Sequence, residues 1–145
     1  MGTPSLRDRL HALAVFVPQF EAPDFRFGAF VEREPVGGVR HQGFYDFGAV
    51  ARSLITTCYS MGWVVERFDW PTWARTEEAR HLCDDASCPA QATAEQLAHL
   101  LTVLIRQERF NEGSLAICVD SGLMIGILRR AASLEAHLAG RPDVG

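Results

Sequence analysis

Between Leu97 and Leu138 two apolar helical patterns stand back to back, separated by a block of charge: Arg106-Gln107-Glu108-Arg109-Phe110-Asn111-Glu112-Gly113. Leu97, Leu100, Leu101, Leu104 and Ile105 recur at the helical period and define one core face. At about 100° per residue Glu108 falls on that same face, while Arg106 points away from it. A carboxylate entering a leucine-lined face needs a partner, because an unpaired buried charge is costly. Thr93 and Gln96 form a capping box that fixes the start of this helix. Asn111 can cap a short helix running through Val119, and Ser121-Gly122 breaks it. Leu123, Ile127, Leu128, Leu134 and Leu138 then carry the last helical face.

The rest of the chain alternates between helical and extended patterns. Thr3 and Pro4 suit a helix start, Leu6, Leu10, Leu13 and Val17 follow at helical spacing, and Pro18 ends the helix. Phe25, Phe27 and Val31 alternate, Gly37-Gly38 supplies a turn, and Phe44, Tyr45 and Phe47 follow. This predicts a short hairpin or an aromatic-anchored loop. Phe47, Val50, Leu54, Cys58 and Met61 line another helical face that Gly62 stops. Trp63-Val64-Val65 runs extended to a helix boundary at Asp69 or Trp70, and Pro71 opens a solvated helix to about Leu82. Cys83 to Ala92 reads as a polar loop. The expected fold is mainly α: a compact helical bundle of five or six helices, with a short extended or β-hairpin segment near residues 25–47. Residues 1–145 form a single globular domain in this reading.

At 145 residues the chain can bury a core without metal or disulfide support. Its net charge of −4 argues against a nucleic-acid surface, which needs a basic face to displace counterions. All 14 basic residues are arginine, for which GC-rich coding is the simple cause. Every cation is therefore a planar fork able to grip a carboxylate with two hydrogen bonds. Leu6 stands where myristoylation requires Ser or Thr, and the start lacks the long apolar run of a signal peptide. The densest apolar run, Leu123 to Leu128, is far short of a membrane span and ends at Arg129-Arg130. These features predict a cytoplasmic chain, with no membrane contact, whose four cysteines are reduced thiols.

Three groups of residues carry chemistry. At the junction, Arg106, Glu108, Arg109 and Glu112 either anchor one another as a structural clasp or form a site. In the second case the arginines bind an anion while Glu108 or Glu112 acts as base or acid. The clasp leads. Next, Trp63, Phe68, Trp70 and Trp73 concentrate all the tryptophans in eleven positions; packing is their first role. A groove rimmed by Trp70 and Trp73, with Asp69 at its edge, is the recognition alternative. Finally, His81, Cys83, Cys88 and His99 are metal-ligating types at spacings that fit no common zinc site. Cys83 and Cys88 then read as loop thiols, and Cys58 and Cys118 as core. The two glycine pairs lack the lysine or third glycine of a phosphate loop. No metal or cofactor is expected.

Several stretches together resemble a bacterial family of unknown function, domain-of-unknown-function family 6508. They are Phe20-Glu21-Ala22-Pro23-Asp24-Phe25 with Gly28, Phe68-Asp69-Trp70-Pro71-Thr72-Trp73, and Leu100-Leu101-Thr102 through Ile105-Arg106 to Gly113. Ser121-Gly122 with Ile127-Leu128-Arg129-Arg130 matches the family's ending. The Cys83–Cys88 loop departs from it. The resemblance implies a compact bacterial intracellular domain and supplies no activity or catalytic residue.

The functional expectation is a non-enzymatic binding or accessory domain. Its surface is built from Trp70, Trp73, Arg106 and Arg109, with Asp69, Glu108 and Glu112 beside them, and it faces a protein or a small anionic ligand. Two alternatives stand behind it. One is a small metal-independent hydrolase or transferase using Glu108 or Glu112 with Arg109. The other is a nucleic-acid-associated regulator resting on arginine clustering alone.

Overall fold

The computed structural model describes residues 3–32, 34–39, 43–84 and 88–140, except for the side chain of Cys88. The chain is mainly helical with one antiparallel hairpin, as the hydrophobic periods predict. Helix α1 covers Leu6–Ala14 and α2 Val17–Glu21. Strands β1 (Gly28–Val31) and β2 (Phe44–Phe47) precede α3 (Ala49–Ser60), α4 (Trp70–Trp73) and α5 (Glu77–Asp84). A 3-10 turn at Cys88–Gln91 leads into α6 (Ala94–Glu108), α7 (Ser114–Asp120) and α8 (Leu123–Gly140).

One predicted helix is divided and an additional short helix follows another, so the helical segments outnumber the expected five or six. Pro18 does not stop the first helix, which ends earlier, at Ala14. Lacking an N–H, it sits in the first turn of α2, where none is needed. The cap of α1 is Ser5, which accepts from the Asp8 N–H at 3.1 Å, and not Thr3. The division, of the helix expected from Pro71 to about Leu82, is made by Thr76. Its hydroxyl donates to the Trp73 carbonyl at 2.7 Å, closing α4, and accepts from the Ala79 N–H at 3.2 Å, opening α5. Asp69, one of the two expected boundary positions, caps α4, accepting from Thr72 N–H and Thr72 Oγ1. Part of the predicted polar loop from Cys83 to Ala92 is helical, while residues 85–87 lie outside the described residues.

The hairpin pairs Gly28 with Phe47 and Val31 with Phe44. Val36 and Val39 bridge across Gly37 and Gly38, whose φ angles of 62° and 79° make the expected turn. Phe27 and Phe47 meet edge-on at 5.7 Å and fasten the base of the hairpin to the core.

The core gathers the leucine face of α6, Leu10 and Leu13 of α1, Leu54 and Cys58 of α3, and Met124, Ile127 and Leu128 of α8. Helices α1 and α8 lie against each other, and α7 lies against both α6 and α8. Trp63 is fully buried, with Nε1 donating to the Arg9 carbonyl at 2.9 Å. Arg9 covers the indole at 4.5 Å and donates to the Met61 carbonyl, tying α1 to the end of α3. Thr102 is the one fully buried polar side chain among the described residues. Its hydroxyl accepts from the Val65 N–H at 2.9 Å and lies 2.7 Å from the Ala98 carbonyl, pinning the 63–65 segment to α6. No described helix is long and apolar enough to cross a membrane.

Candidate functional site

Helix α6 continues to Glu108 on its apolar face, as the period requires. The partner of that carboxylate is backbone. Glu108 Oε2 accepts from the Gly113 N–H at 2.8 Å and Oε1 from the Leu115 N–H at 2.9 Å. Gly113, at φ 94°, turns the chain so that the first amides of α7 face back toward α6. These are the donors a helix leaves unpaired at its start, and an anion there also meets the positive end of the helix dipole. Gly113 has no side chain with which to cap α7. Glu108 supplies the cap from the preceding helix, and Asn111 does not.

Glu112 is held in a similar way: its Oε1 accepts from the Tyr45 N–H, joining the junction to β2. The expected anchoring of Arg106, Glu108, Arg109 and Glu112 on one another is therefore corrected. No ion pair joins these four among the described residues. The carboxylates accept from main chain, which leaves the two guanidinium groups without an ion-pair partner among the described residues. Arg106 extends toward Tyr59 of α3, 5.9 Å from its ring. Arg109 is exposed at the edge of a cleft of about 240 Å³. Phe47, Ile55, Tyr59, Ile105 and Leu115 supply the cleft's apolar walls, and Glu108 closes one end.

The aromatic turn separates into two parts. Trp73 faces inward: it packs edge-on to His99 at 5.3 Å, lies 6.1 Å from Phe68, and donates Nε1–H to Glu78 at 2.9 Å. Phe68 stacks on His99 at 4.2 Å. Trp70 instead reaches the junction, its ring 6.2 Å from that of Phe110. Phe110 is 82% exposed, an unusual position for a phenylalanine. Thus Trp70 meets Phe110, next in the chain to Arg109, while Arg106 and Arg109 each lie by Tyr59, and Trp73 belongs to a neighbouring aromatic nest. Asp69 is occupied as the α4 cap.

Tyr59 and Ile55 were not anticipated as site residues. They form an i,i+4 pair one position off the apolar face of α3, and that spacing is the signal that points to them. Phe110 lies inside the charged block, and its signal is a bulky aromatic placed in a glycine-ended turn. The Tyr45 phenol sits above its ordinary value, first because it is partly buried, then because Asp120 and Glu108 are negative neighbours.

Among the cysteines, burial pushes the Cys58 thiol up to about 12. The same cause, with Cys83 adding to it, lifts Cys118 to about 12. Both are the core residues expected from their helical positions. Cys83 is a free thiol, and the side chain of Cys88 lies outside the described residues. Cys83 itself is half-buried, and burial followed by Asp84 raises its thiol.

Neither the curated proteins nor the solved structures yield a match to this chain. A family model does match, over residues 5–137, and its description is a family of unknown function. That span contains the hairpin, the aromatic turn, the junction and nearly all of α8, and the chain belongs to this family, DUF6508.

Proposed function

We propose that the chain is a binding module, a single domain working in the bacterial cytoplasm. Its surface of Tyr59, Arg106, Arg109, Phe110 and Trp70 receives a protein segment that carries an acidic residue beside a large apolar side chain. The observation that carries this reading is Phe110: a phenylalanine 82% exposed, in ring contact with Trp70, flanked by two arginines without carboxylate partners among the described residues. Aromatic and arginine side chains are the residues that dominate interface energetics. An unpaired guanidinium is a forked donor for an incoming carboxylate. The adjacent cleft, with Arg109 at its rim, offers room for the apolar side chain.

The hydrolase or transferase alternative has less to draw on. Both oxygens of Glu108 already accept from backbone amides, so a proton transfer would compete with the cap of α7. The nucleic-acid alternative gains no basic face from the arrangement, since Glu108 and Glu112 share the junction with the arginines.

Selection of a displayed random-peptide library on the wild-type chain tests the reading, with counter-selection on the Arg109→Ser/Phe110→Ser double variant. Enrichment of acidic-apolar sequences that depend on these two side chains is the expected result. Peptides that bind wild type and double variant equally, or no enrichment at all, would overturn it.

A further inference from the structure

A second cleft, about 470 Å³, opens where α2 and the Phe25 turn meet the end of α7 and the start of α8. Phe20 and Phe25, stacked at 4.4 Å, supply aromatic wall, and Val119 and Ile125 supply aliphatic wall. Three charged groups also line it: Glu21, Asp120 and Arg129. Arg129 Nε lies 3.5 Å from Glu21 Oε1, so those two charges offset each other. Among the described residues no hydrogen bond reaches the Asp120 carboxylate and no ion pair holds it. It is the last residue of α7, at the negative end of that helix's dipole. Two carboxylates against one guanidinium leave a single uncompensated negative charge over an apolar floor.

We propose that this cleft binds an organic monocation: an amine whose ammonium pairs with Asp120 and whose aromatic or aliphatic body rests on Phe20 and Phe25. The apolar walls favour the body by excluding water from it. The ring faces, with their negative quadrupole, add attraction for the cationic head. The carboxylate supplies the selectivity, because an anion of the same shape meets Asp120 with like charge.

Titration of the full isotope-labelled chain, followed by amide NMR, tests this with three probes of similar shape. They are phenethylamine (a cation at neutral pH), the amino acid L-phenylalanine (a zwitterion) and 3-phenylpropionate (an anion). Saturable shifts at the Phe25, Asp120 and Ile125 amides with phenethylamine, and none with 3-phenylpropionate, are expected. Asp120→Asn weakens phenethylamine by about fivefold, the size of a well-placed but solvent-exposed charge pair, and added salt weakens it further. Glu77→Gln, an equal charge change outside the cleft, leaves the affinity unchanged. Phe110→Ser also leaves it unchanged, which separates this site from the peptide surface. No saturable shift, equal affinity for the anion, or indifference to Asp120→Asn would each overturn the proposal. So would tighter binding of the zwitterion, which would mean that Arg129 leaves Glu21 to take a carboxylate.

Discussion

Replacing Glu108 tests how the junction is held. In Glu108→Ala the Gly113 and Leu115 N–H groups lose a charged acceptor at 2.8 and 2.9 Å, in a partly buried turn. Hydrogen bonds to charged groups contribute about 1.5–3 kcal/mol each; taking the lower end because the turn is partly solvated gives about 3 kcal/mol. Favourable charge at the start of α7 adds about 0.3–1 kcal/mol. Glu108→Gln keeps one carbonyl oxygen as acceptor but turns an NH₂ toward the other amide, so it should lose about half as much. Urea denaturation followed by tryptophan fluorescence and far-UV circular dichroism reads the difference. With a slope of about 2 kcal/mol per molar urea, Glu108→Ala should lower the midpoint by about 1.5 M. Arg109→Ala is the contrasting variant. Had the four side chains paired with one another, removing the guanidinium would destabilise the fold by leaving a carboxylate unpaired. With the carboxylates held by backbone, Arg109→Ala should stay within about 0.5 kcal/mol of wild type. A loss below about 1 kcal/mol for Glu108→Ala, or an Arg109→Ala variant as unstable as Glu108→Ala, refutes the reasoning.

Alkaline pH should unfold the chain through its core thiols. Cys58 and Cys118 rise from an ordinary 9.0 to about 12 on folding, so the unfolded chain releases their protons first. Their contribution is whole below pH 9 and is lost as pH climbs toward 12. By pH 10 each of these two thiols should cost about 1.4 kcal/mol of stability, and Cys58→Ala should remove its share of the fall in urea midpoint between pH 8 and pH 10. Thr102→Val removes the acceptor of the Val65 N–H at 2.9 Å. It should cost about 1–3 kcal/mol despite matching the side chain's shape, measured by the same denaturation. Gly28→Ala sets a Cβ into the Asp46 carbonyl oxygen and 2.7 Å from the Tyr45 ring. It should break the β1–β2 register, seen as lost protection of the hairpin amides in hydrogen exchange.

Features set by neighbouring residues were legible in the sequence. The capping box of Thr93 and Gln96, the helix boundary at Asp69 or Trp70, the Gly37-Gly38 turn and the leucine face of α6 all follow from residues within a few positions of one another. Glu108 was legible as a carboxylate on an apolar face, but its partners were not. They are main-chain amides five and seven residues ahead, exposed only because Gly113 turns with positive φ. Asn111 has the residue type of a cap, and it lost that role to a charged acceptor already fixed by α6. Pro18 and Thr76 were ambiguous in the same way, since one residue can end a helix or begin the next. The clefts were out of reach altogether. Tyr59, Arg109 and Phe47 come from three elements, as do Phe20, Asp120 and Arg129, and only tertiary packing brings each set together.

On sequence alone, a clasp and a binding site at the junction are competing readings of the same four residues. The geometry makes them successive instead. A guanidinium paired with a local carboxylate has little to offer a partner, because its charge is neutralised and its donors are filled. Here the amides of Gly113, Leu115 and Tyr45 take up the carboxylates, so among the described residues Arg106 and Arg109 keep their donors for something else. The same bonds fix the turn that lifts Phe110 out of the core, and the Glu112 bond holds β2 beside α7 as a wall of the cleft. The dependence therefore runs one way. Loss of Glu108 should degrade both the fold of the turn and peptide capture, whereas loss of Arg109 should degrade capture alone.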